Sequence, residues 1–290
     1  MDVVAAPQRE THHVGSWLHV LWVGLVLFIL GVVIFGLTSN PNLFPTVALI
    51  GNFLVPVTYV TFFYQRRHLS RVDLPTTARA FLYGGVLGTF AAALLEPLFI
   101  DQLTPVSAFV VGLIEEFAKI IGVLVVARNR EHDQEIDGLI LGAAAGMGFA
   151  ALESTGYAFT SFLLSGGSLS ALVGVTLLRG LLSPVGHGTW TAILASVLFR
   201  ESGRRFRFDA DVLRTYLLVV VLHGLWDGLP ILLGALMVSG LDVLLGQVLV
   251  GLAGLIILWR QWREAVRRET GSTASARLLG HAPAPAASPR

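Results

Sequence analysis

Apolar residues along the chain fall into eight long runs, separated by short polar stretches. A helix needs about 20 residues to cross a bilayer core roughly 30 Å thick, and each run is about that long. The pattern therefore predicts an all-α fold, a polytopic membrane helical bundle of about eight transmembrane helices. The predicted spans are 17–37, 43–63, 79–100, 106–127, 138–163, 170–199, 215–238 and 241–259.

Arginines divide the connections between these runs into two groups. They follow the second, fourth, sixth and eighth runs, whereas the four alternate connections contain neither Lys nor Arg. Because Lys and Arg in short loops stay in the cytoplasm, we expect a multi-pass protein of the cell membrane with both termini cytoplasmic. The predicted parts are an N-terminal segment 1–16, a membrane domain 17–260 with its functional core at about 106–238, and a disordered cytoplasmic tail 261–290, rich in Ala, Pro and Ser.

Composition agrees with this location and excludes several chemistries. The residues are 54% hydrophobic and 13% charged, against roughly 25% charged in a soluble protein. Cysteine is absent, which excludes disulfides, thiolate metal sites and a cysteine nucleophile. The net charge of +1 provides no basic field for nucleic acid. We therefore expect the lipid bilayer, and no nucleic acid, as the surroundings of this chain.

Ionisable side chains interrupt the apolar runs. A charge at mid-bilayer costs about 2.5 to 3.5 kcal/mol, so we expect these side chains to face inward and to meet one another. All but the first fall on the fourth to seventh runs, which predicts one polar cluster inside that part of the bundle. They are Glu96, Glu115, Glu116, Lys119, Glu153, Arg179, His187, His223 and Asp227.

Helical spacing places several of these residues on shared faces. Glu115 and Glu116 precede Lys119 by four and three residues, and His223 precedes Asp227 by four. Residues three or four apart lie on one side of a helix. In a purely structural interpretation, Lys119 would only neutralise one of the neighbouring glutamates, and the second would be held protonated by desolvation. We expect Asp227 to orient the imidazole of His223.

Two of the ionisable residues are expected to have structural roles. We expect Arg179 to be the ion-pair partner of a glutamate, and Glu96, which stands beside Pro97, to be structural rather than functional.

Glycine recurs every fourth residue at 138, 142 and 146, which favours close helix packing over a dimer interface. Such packing would bring Glu153 near its neighbours.

Four short motifs follow one another on the fourth to seventh runs. They are EExxK at Glu115, Glu116 and Lys119, FxxxE from Phe149 to Glu153, His187 in GHGTW, and HxxxD from His223 to Asp227. This ordered set resembles the PrsW family of intramembrane proteases. It resembles more distantly the type II CAAX prenyl endopeptidases, which carry EExxxR and a histidine at the end of the second motif.

The resemblance implies a hydrolase that cuts a peptide bond of a membrane-protein substrate, such as an anti-sigma factor or another single-span protein. Glu153, where the CAAX enzymes have histidine, argues against a prenylated substrate. A serine protease using Ser168 is disfavoured because that residue lies in a predicted turn. Two other classes stay open: a transporter that uses the same buried cluster as a relay, and a scaffold that binds other transmembrane helices.

Peptide hydrolysis requires an activated water, a polarised carbonyl and a proton donor for the leaving amine. We expect Glu115 to be the base that activates the water. Glu116 and Lys119 would tune and position it, although the two glutamates can exchange roles. These three residues, with Asp227, form the predicted catalytic set.

A metal ion is the favoured cofactor, zinc or another divalent metal. Glu153, His187 and His223 make a set of two histidines and one glutamate, a known combination for catalytic zinc. The local HExxH signature of zinc proteases is absent. In the alternative without metal, Glu115 and Glu153 activate the water while His187 and His223 stabilise the oxyanion.

Overall fold

The structure is a computed structural model that describes residues 16–129, 134–202, 205–236 and 240–278. Within these ranges every regular element is helical, which confirms the predicted fold class. Two short 3₁₀ turns, Pro41–Leu43 and Ser183–Val185, precede α2 and α7. The α-helices are α1 (Ser16–Thr38), α2 (Phe44–Gln65), α3 (Leu74–Phe99), α4 (Ser107–Val126), α5 (Glu135–Leu164), α6 (Leu169–Leu182), α7 (His187–Glu201), α8 (Ala210–Ala235) and α9 (Gly240–Leu278).

Seven helical stretches of the described residues are long and apolar enough to cross a membrane, with α6 and α7 together forming one of them. The helix outside this set is α4, which has 20 residues and so a length of about 30 Å. It carries Glu115, Glu116 and Lys119, all three buried in the bundle. Each of the eight predicted runs therefore corresponds to helix in a polytopic bundle.

The central element of the bundle is α5. Of its most apolar 18-residue stretch, 94% is buried inside the bundle. Its glycines at 138, 142 and 146 face α7, and a Cβ added at any of them would lie inside 3.0 Å of a carbonyl oxygen of that helix. Only residues without a side chain allow two backbones to approach so closely. The predicted close packing is confirmed, and its partner is a helix of the same chain.

Small residues also bring α3 against α4 and α5. A Cβ at Gly122 of α4 would lie 2.7 Å from the Cα of Gly84 on α3, and one at Gly85 would lie 2.8 Å from the carbonyl oxygen of Gly148 on α5. These contacts join α3 to the two helices that carry the EExxK and FxxxE motifs.

The predicted sixth span is broken in the middle. Pro184 lies in the 3₁₀ turn between α6 and α7, where its missing N–H and its ring interrupt the helical hydrogen-bond pattern. The backbone N–H of Trp190 then bonds to the carbonyl oxygen of Gly186, 3.1 Å away, as the new helix starts. His187 is therefore the first residue of α7 rather than a residue in the middle of a continuous helix.

Helix α9 continues beyond residue 260, where the predicted tail begins, as far as Leu278. Contacts with the other helices hold this polar extension: Ser196 donates to the side chain of Gln261 at 2.9 Å, and Arg268 donates to Glu135 at 2.6 Å. Residues 1–15 and 279–290, which belong to the predicted terminal segments, lie outside the described residues. The division into segments at 16 and 260 stays a prediction.

The arginine-bearing connections meet at one end of the bundle. Ser70, between α2 and α3, donates to Asp137 near the start of α5 at 2.5 Å, and Arg200, near the end of α7, lies 3.9 Å from Glu135. The arginine-free connection 100–106 follows the opposite end of α3. The structure thus groups the connections as the charge pattern does, and the side of the membrane that each group faces stays a prediction.

Candidate active site

Lys119 is at the centre of a buried polar cluster on α4, α5, α7 and α8. Its Nζ lies 2.9 Å from Oε2 of Glu115, 2.9 Å from Oε1 of Glu116 and 2.8 Å from Nδ1 of His187. The ammonium also lies 4.1 Å from the centroid of the Phe149 ring, a favourable cation–π distance. The first residue of the FxxxE motif thus contacts the lysine of the EExxK motif.

The contacts of His187 define its hydrogen-bonding state. An ammonium group can only donate, so Nδ1 of His187 accepts from Lys119 and the ring hydrogen is on Nε2. That nitrogen lies 3.1 Å from Oε2 of Glu153. The same oxygen is 2.5 Å from Nη2 of Arg179, whose Nε donates to Ser154 at 2.9 Å. The predicted pairing of Arg179 with a glutamate is confirmed.

Carboxyl groups surround the ring of His223 on both sides. Its Nδ1 lies 2.9 Å from Oε1 of Glu116, and its Nε2 lies 3.2 Å from Asp227 and 3.6 Å from Glu115. The hydroxyl of Thr191 donates to the other oxygen of Glu116 at 3.3 Å. Asp227 is placed where it can orient His223, and Glu116 holds the opposite nitrogen.

Aromatic stacking fixes the two imidazoles further. The ring of Trp190 lies 4.9 Å from that of His223 and 5.6 Å from that of His187, and the two imidazoles are 5.2 Å apart. Trp190 is fully buried. Sequence reasoning missed this residue, because a tryptophan in an apolar helix carries no signal that distinguishes a site wall from ordinary packing.

Two glycines set the spacing of the helices that carry the histidines. A Cβ at Gly112, one turn before Glu116, would lie 3.2 Å from Cβ of His223. A Cβ at Gly146 would lie inside 3.0 Å of the carbonyl oxygen of His187. The distances within the cluster therefore depend on residues that have no side chain.

A cavity of about 800 Å³ opens in front of the cluster, lined mainly by α3, α5 and α6. The predicted site residues that line it are Glu115, Glu153, His187 and Asp227. The remaining three are at most 1% exposed and lie behind that wall: Glu116, Lys119 and His223. A molecule in the cavity would thus meet three carboxyl groups and an imidazole of this set first.

Glu96, expected to be structural, also lines this cavity. Its Oε1 is buried and has no hydrogen-bond donor among the residues that the structure describes. The sequence feature that could have indicated a place in the site is the carboxyl group itself, because Glu96 is an isolated acid in the third apolar run.

The donor atoms present fit a divalent metal. Among the described residues, Glu115, His187 and His223 form a buried group whose ligand atoms lie within 4.8 Å of one another. Two histidines and one glutamate are a zinc-binding combination. Glu153 is outside this group and contacts Arg179, so its role as a metal ligand stays a prediction.

The charge balance of the cluster also suits a cation. Carboxyl groups outnumber permanent cations among the described residues here, and an excess of buried negative charge must be neutralised by protons or a metal. The carboxyl groups belong to Glu96, Glu115, Glu116, Glu153 and Asp227, and the cations to Lys119 and Arg179. Metal binding through Nδ1 of His187 would require Lys119 to release that atom.

Comparison with known proteins gives the same family that the four motifs resemble. The family model described as PrsW family intramembrane metalloprotease matches residues 74–259, which include every residue of the cluster. Protease PrsW of Halalkalibacterium halodurans is 28% identical to the chain over 177 residues, which cover 59% of this chain and 77% of that protein. No solved structure matches the chain. Since the family match extends over more than half of its length, the chain belongs to the PrsW family of intramembrane metalloproteases.

Proposed function

We propose that this protein is an endopeptidase that hydrolyses a peptide bond of a membrane-protein substrate in the cavity in front of Glu115. The observation that carries the proposal is the meeting of a buried carboxylate and imidazole cluster with a cavity of about 800 Å³ inside a membrane bundle. Ionisable groups at this depth are expensive, and their usual explanation is function. The family match supports peptide hydrolysis over transport or scaffolding.

Glu115 is the proposed base. Glu115 lines the cavity and its side chain is 6% exposed, so a water molecule in the cavity can reach it. It would accept a proton from that water and return it to the leaving amine. Lys119 holds the carboxylate from behind at 2.9 Å. Glu116, which does not line the cavity, would position Lys119 and His223.

The two histidines would act on the carbonyl oxygen. His187 lines the cavity, and His223 lies 3.6 Å behind Glu115. In the form without metal, hydrogen bonds from these rings would stabilise the oxyanion as it develops. In the free enzyme Glu153 and Asp227 would hold the rings in orientation by accepting these N–H groups, which would turn from the carboxylates to the oxyanion as it forms.

In the metal form, Glu115, His187 and His223 would hold the ion. The chemistry that an ion held there would supply is polarisation of the scissile carbonyl and a more acidic attacking water. A carboxylate committed to a metal cannot serve well as base, so Glu153, which also lines the cavity, would then accept the proton. The choice between the forms decides whether Glu115 is ligand or base.

The proposed substrate is a single-span membrane protein, for which an anti-sigma factor is the candidate that the family resemblance suggests. The cavity lining reaches Leu103 and Thr160, at the end of the bundle opposite the arginine-bearing connections. A substrate would therefore enter from that side, which the charge pattern predicts to be non-cytoplasmic. The distant relationship to CAAX endopeptidases stays a prediction.

The direct test is cleavage of a candidate single-span protein by the enzyme purified in detergent. Glu115→Gln should insert and fold, yet lose nearly all cleavage, because an amide keeps the shape but cannot take up the proton. Glu116→Gln should also lose nearly all cleavage, because its amide cannot replace the carboxylate that contacts Lys119 and His223. Glu201→Gln is the matched control, since Glu201 pairs with Arg200 at the end of α7. Full activity of both cluster variants would refute the proposal.

Metal content separates the two forms. If the ion is held as proposed, His187→Ala and His223→Ala lower bound zinc per chain together with the cleavage rate. In the other form these variants lose activity while the metal content, already negligible, does not change. A wild-type enzyme that cleaves without bound metal and is indifferent to chelators would contradict the metal form.

A further inference from the structure

We propose that one face of α9, at the end of its apolar part, binds the headgroups of anionic phospholipids. Four residues that share a cleft form this arginine face: Trp259, Arg260, Arg263 and Arg267. The face lies outside the polar cluster around Lys119. The inference therefore goes beyond the proposed hydrolysis and does not depend on it.

The arginine face begins where α9 leaves the apolar part of the membrane. No charged residue occurs in 243–259, whereas 260–269 is rich in Arg and Glu. Trp259 is 55% exposed at this boundary, and tryptophan is enriched where a membrane meets water. At a rise of about 1.5 Å per residue, Arg267 lies about 10 Å beyond Arg260. The long side chains of the face can therefore reach the headgroup layer.

The opposite side of the same helix is docked on the bundle, which holds the arginine face in place. Gln261 accepts a hydrogen bond from Ser196 at 2.9 Å. The ring of Trp262 lies 5.4 Å from that of Phe63, and Ala265 is fully buried. A surface that is already fixed loses less conformational freedom when it binds a ligand. The arginine face thus differs from a basic segment that would have to be ordered on binding.

The positive charges of the face are available to a ligand. All three arginines are exposed, and the guanidinium group of Arg263 lies 4.7 Å from the ring centroid of Trp259. The ion pairs of this segment that the structure describes are made by Arg268 instead, with Glu135 and Glu264. Glu264 also lines the cleft, but its charge is balanced by Arg268, 3.3 Å away.

A phosphate diester with a negative charge is the ligand that fits this face. Guanidinium groups pair with phosphate oxygens through N–H donors that lie in one plane, and the cleft that they line measures about 160 Å³. At the surface of a membrane such phosphates belong to phospholipids, and each arginine near an anionic surface strengthens the attraction. Because the arginines of the face form no ion pair among the described residues, a headgroup with net negative charge is preferred over a zwitterionic one.

Two variants that lose the same charge test this assignment. The site variant changes the arginines of the face: Arg260→Gln, Arg263→Gln and Arg267→Gln. The control variant changes exposed arginines between α7 and the first turns of α8, at the same end of the bundle: Arg205→Gln, Arg207→Gln and Arg214→Gln. Each full chain is purified in detergent, and its melting temperature is measured to show that it is folded. It is then titrated with phosphatidylglycerol, phosphatidylcholine or inorganic phosphate, and native mass spectrometry gives the affinity and the number of bound molecules.

We expect the wild type to bind phosphatidylglycerol more tightly than phosphatidylcholine. The site variant should bind phosphatidylglycerol about tenfold to a hundredfold more weakly than the wild type, and the control variant should keep most of the wild-type affinity. High salt should weaken binding by the wild type, because it screens exposed charges. If the site variant does not fold, Arg263→Gln and Arg207→Gln make the same comparison at single positions, with an expected loss of about fivefold in the first alone.

Three results would overturn the inference. Equal weakening in the site and control variants would show diffuse attraction by net charge instead of a defined face. Wild-type affinity for phosphatidylglycerol in the site variant would show that these arginines do not bind the headgroup. Displacement of the lipid by inorganic phosphate at equal concentration would assign the cleft to free phosphate rather than to a lipid.

Discussion

Replacing Gly146 by alanine would push α7, and His187 with it, away from the rest of the site. The added methyl group would meet the carbonyl oxygen of His187 inside 3.0 Å and lie 2.9 Å from Oγ1 of Thr191. Both are parts of the α7 turn that faces the cluster, and a backbone carbonyl cannot rotate aside as a flexible side chain can. The two helices must therefore separate locally, by about 1 Å in a closely packed interior.

The magnitude follows from the two effects of that shift. Overpacking of this kind typically lowers the free energy of unfolding by about 1 to 3 kcal/mol, which would leave the protein folded and inserted. A displacement of about 1 Å at a residue of the reacting centre costs roughly a hundredfold in rate. We expect the variant to show a lower melting temperature in detergent and a much lower kcat.

A glycine on α6 provides the control for Gly146→Ala. Gly174→Ala adds the same methyl group on α6, where no described residue beyond the surrounding helical turn has an atom within 4 Å of the new Cβ, so its stability and rate should match wild type or improve slightly. Wild-type melting temperature and wild-type kcat in Gly146→Ala would show that α5 and α7 do not set the position of His187.

Three further predictions concern the surroundings of the site. Asp227→Asn should weaken metal binding about tenfold or more by removing the partner that orients His223, measurable by zinc titration; unchanged affinity would contradict this role. Arg179→Lys keeps the charge but cannot contact Ser154 and Glu153 through two separate nitrogen atoms, as Nε and Nη2 of Arg179 do. This variant should lose part of the activity and Arg179→Leu should lose more. Equal rates in both variants would argue against positioning through Glu153. A reporter fused within 200–214 should read as cytoplasmic and one within 165–169 as external, and the reverse at either site would mean that the spans are miscounted.

The membrane fold was predictable from the sequence because its physical causes are local. The length and apolarity of each run define a span without reference to any other part of the chain. The same is true of the EExxK and HxxxD motifs, whose members share a helix face by spacing alone. Glycines at 138, 142 and 146 also indicated a packing face, although not which helix would occupy it.

Departures from the prediction occur where distant parts of the chain interact. The sixth apolar run was predicted as one continuous span, but it breaks at Pro184, and the start of α7 at His187 depends on how the chain packs after the break. The extension of α9 to Leu278 depends on partners elsewhere in sequence, such as Glu135 for Arg268. A polar helical segment with few apolar residues has no sequence signal for such docking, since propensity is a weak prior against tertiary contacts.

The site itself divides in the same way. The sequence identified the ionisable residues, because a charge in an apolar run is visible without a structure, and it required them to meet. Only the tertiary structure decided which ones meet. It grouped Glu115 with the two histidines, placed Glu153 beside Arg179 and His187, and put Glu96 in the lining of the same cavity as Glu115. The physical reason is that partner choice depends on the rotation and depth of each helix, which inter-helix packing sets and a single helix does not encode.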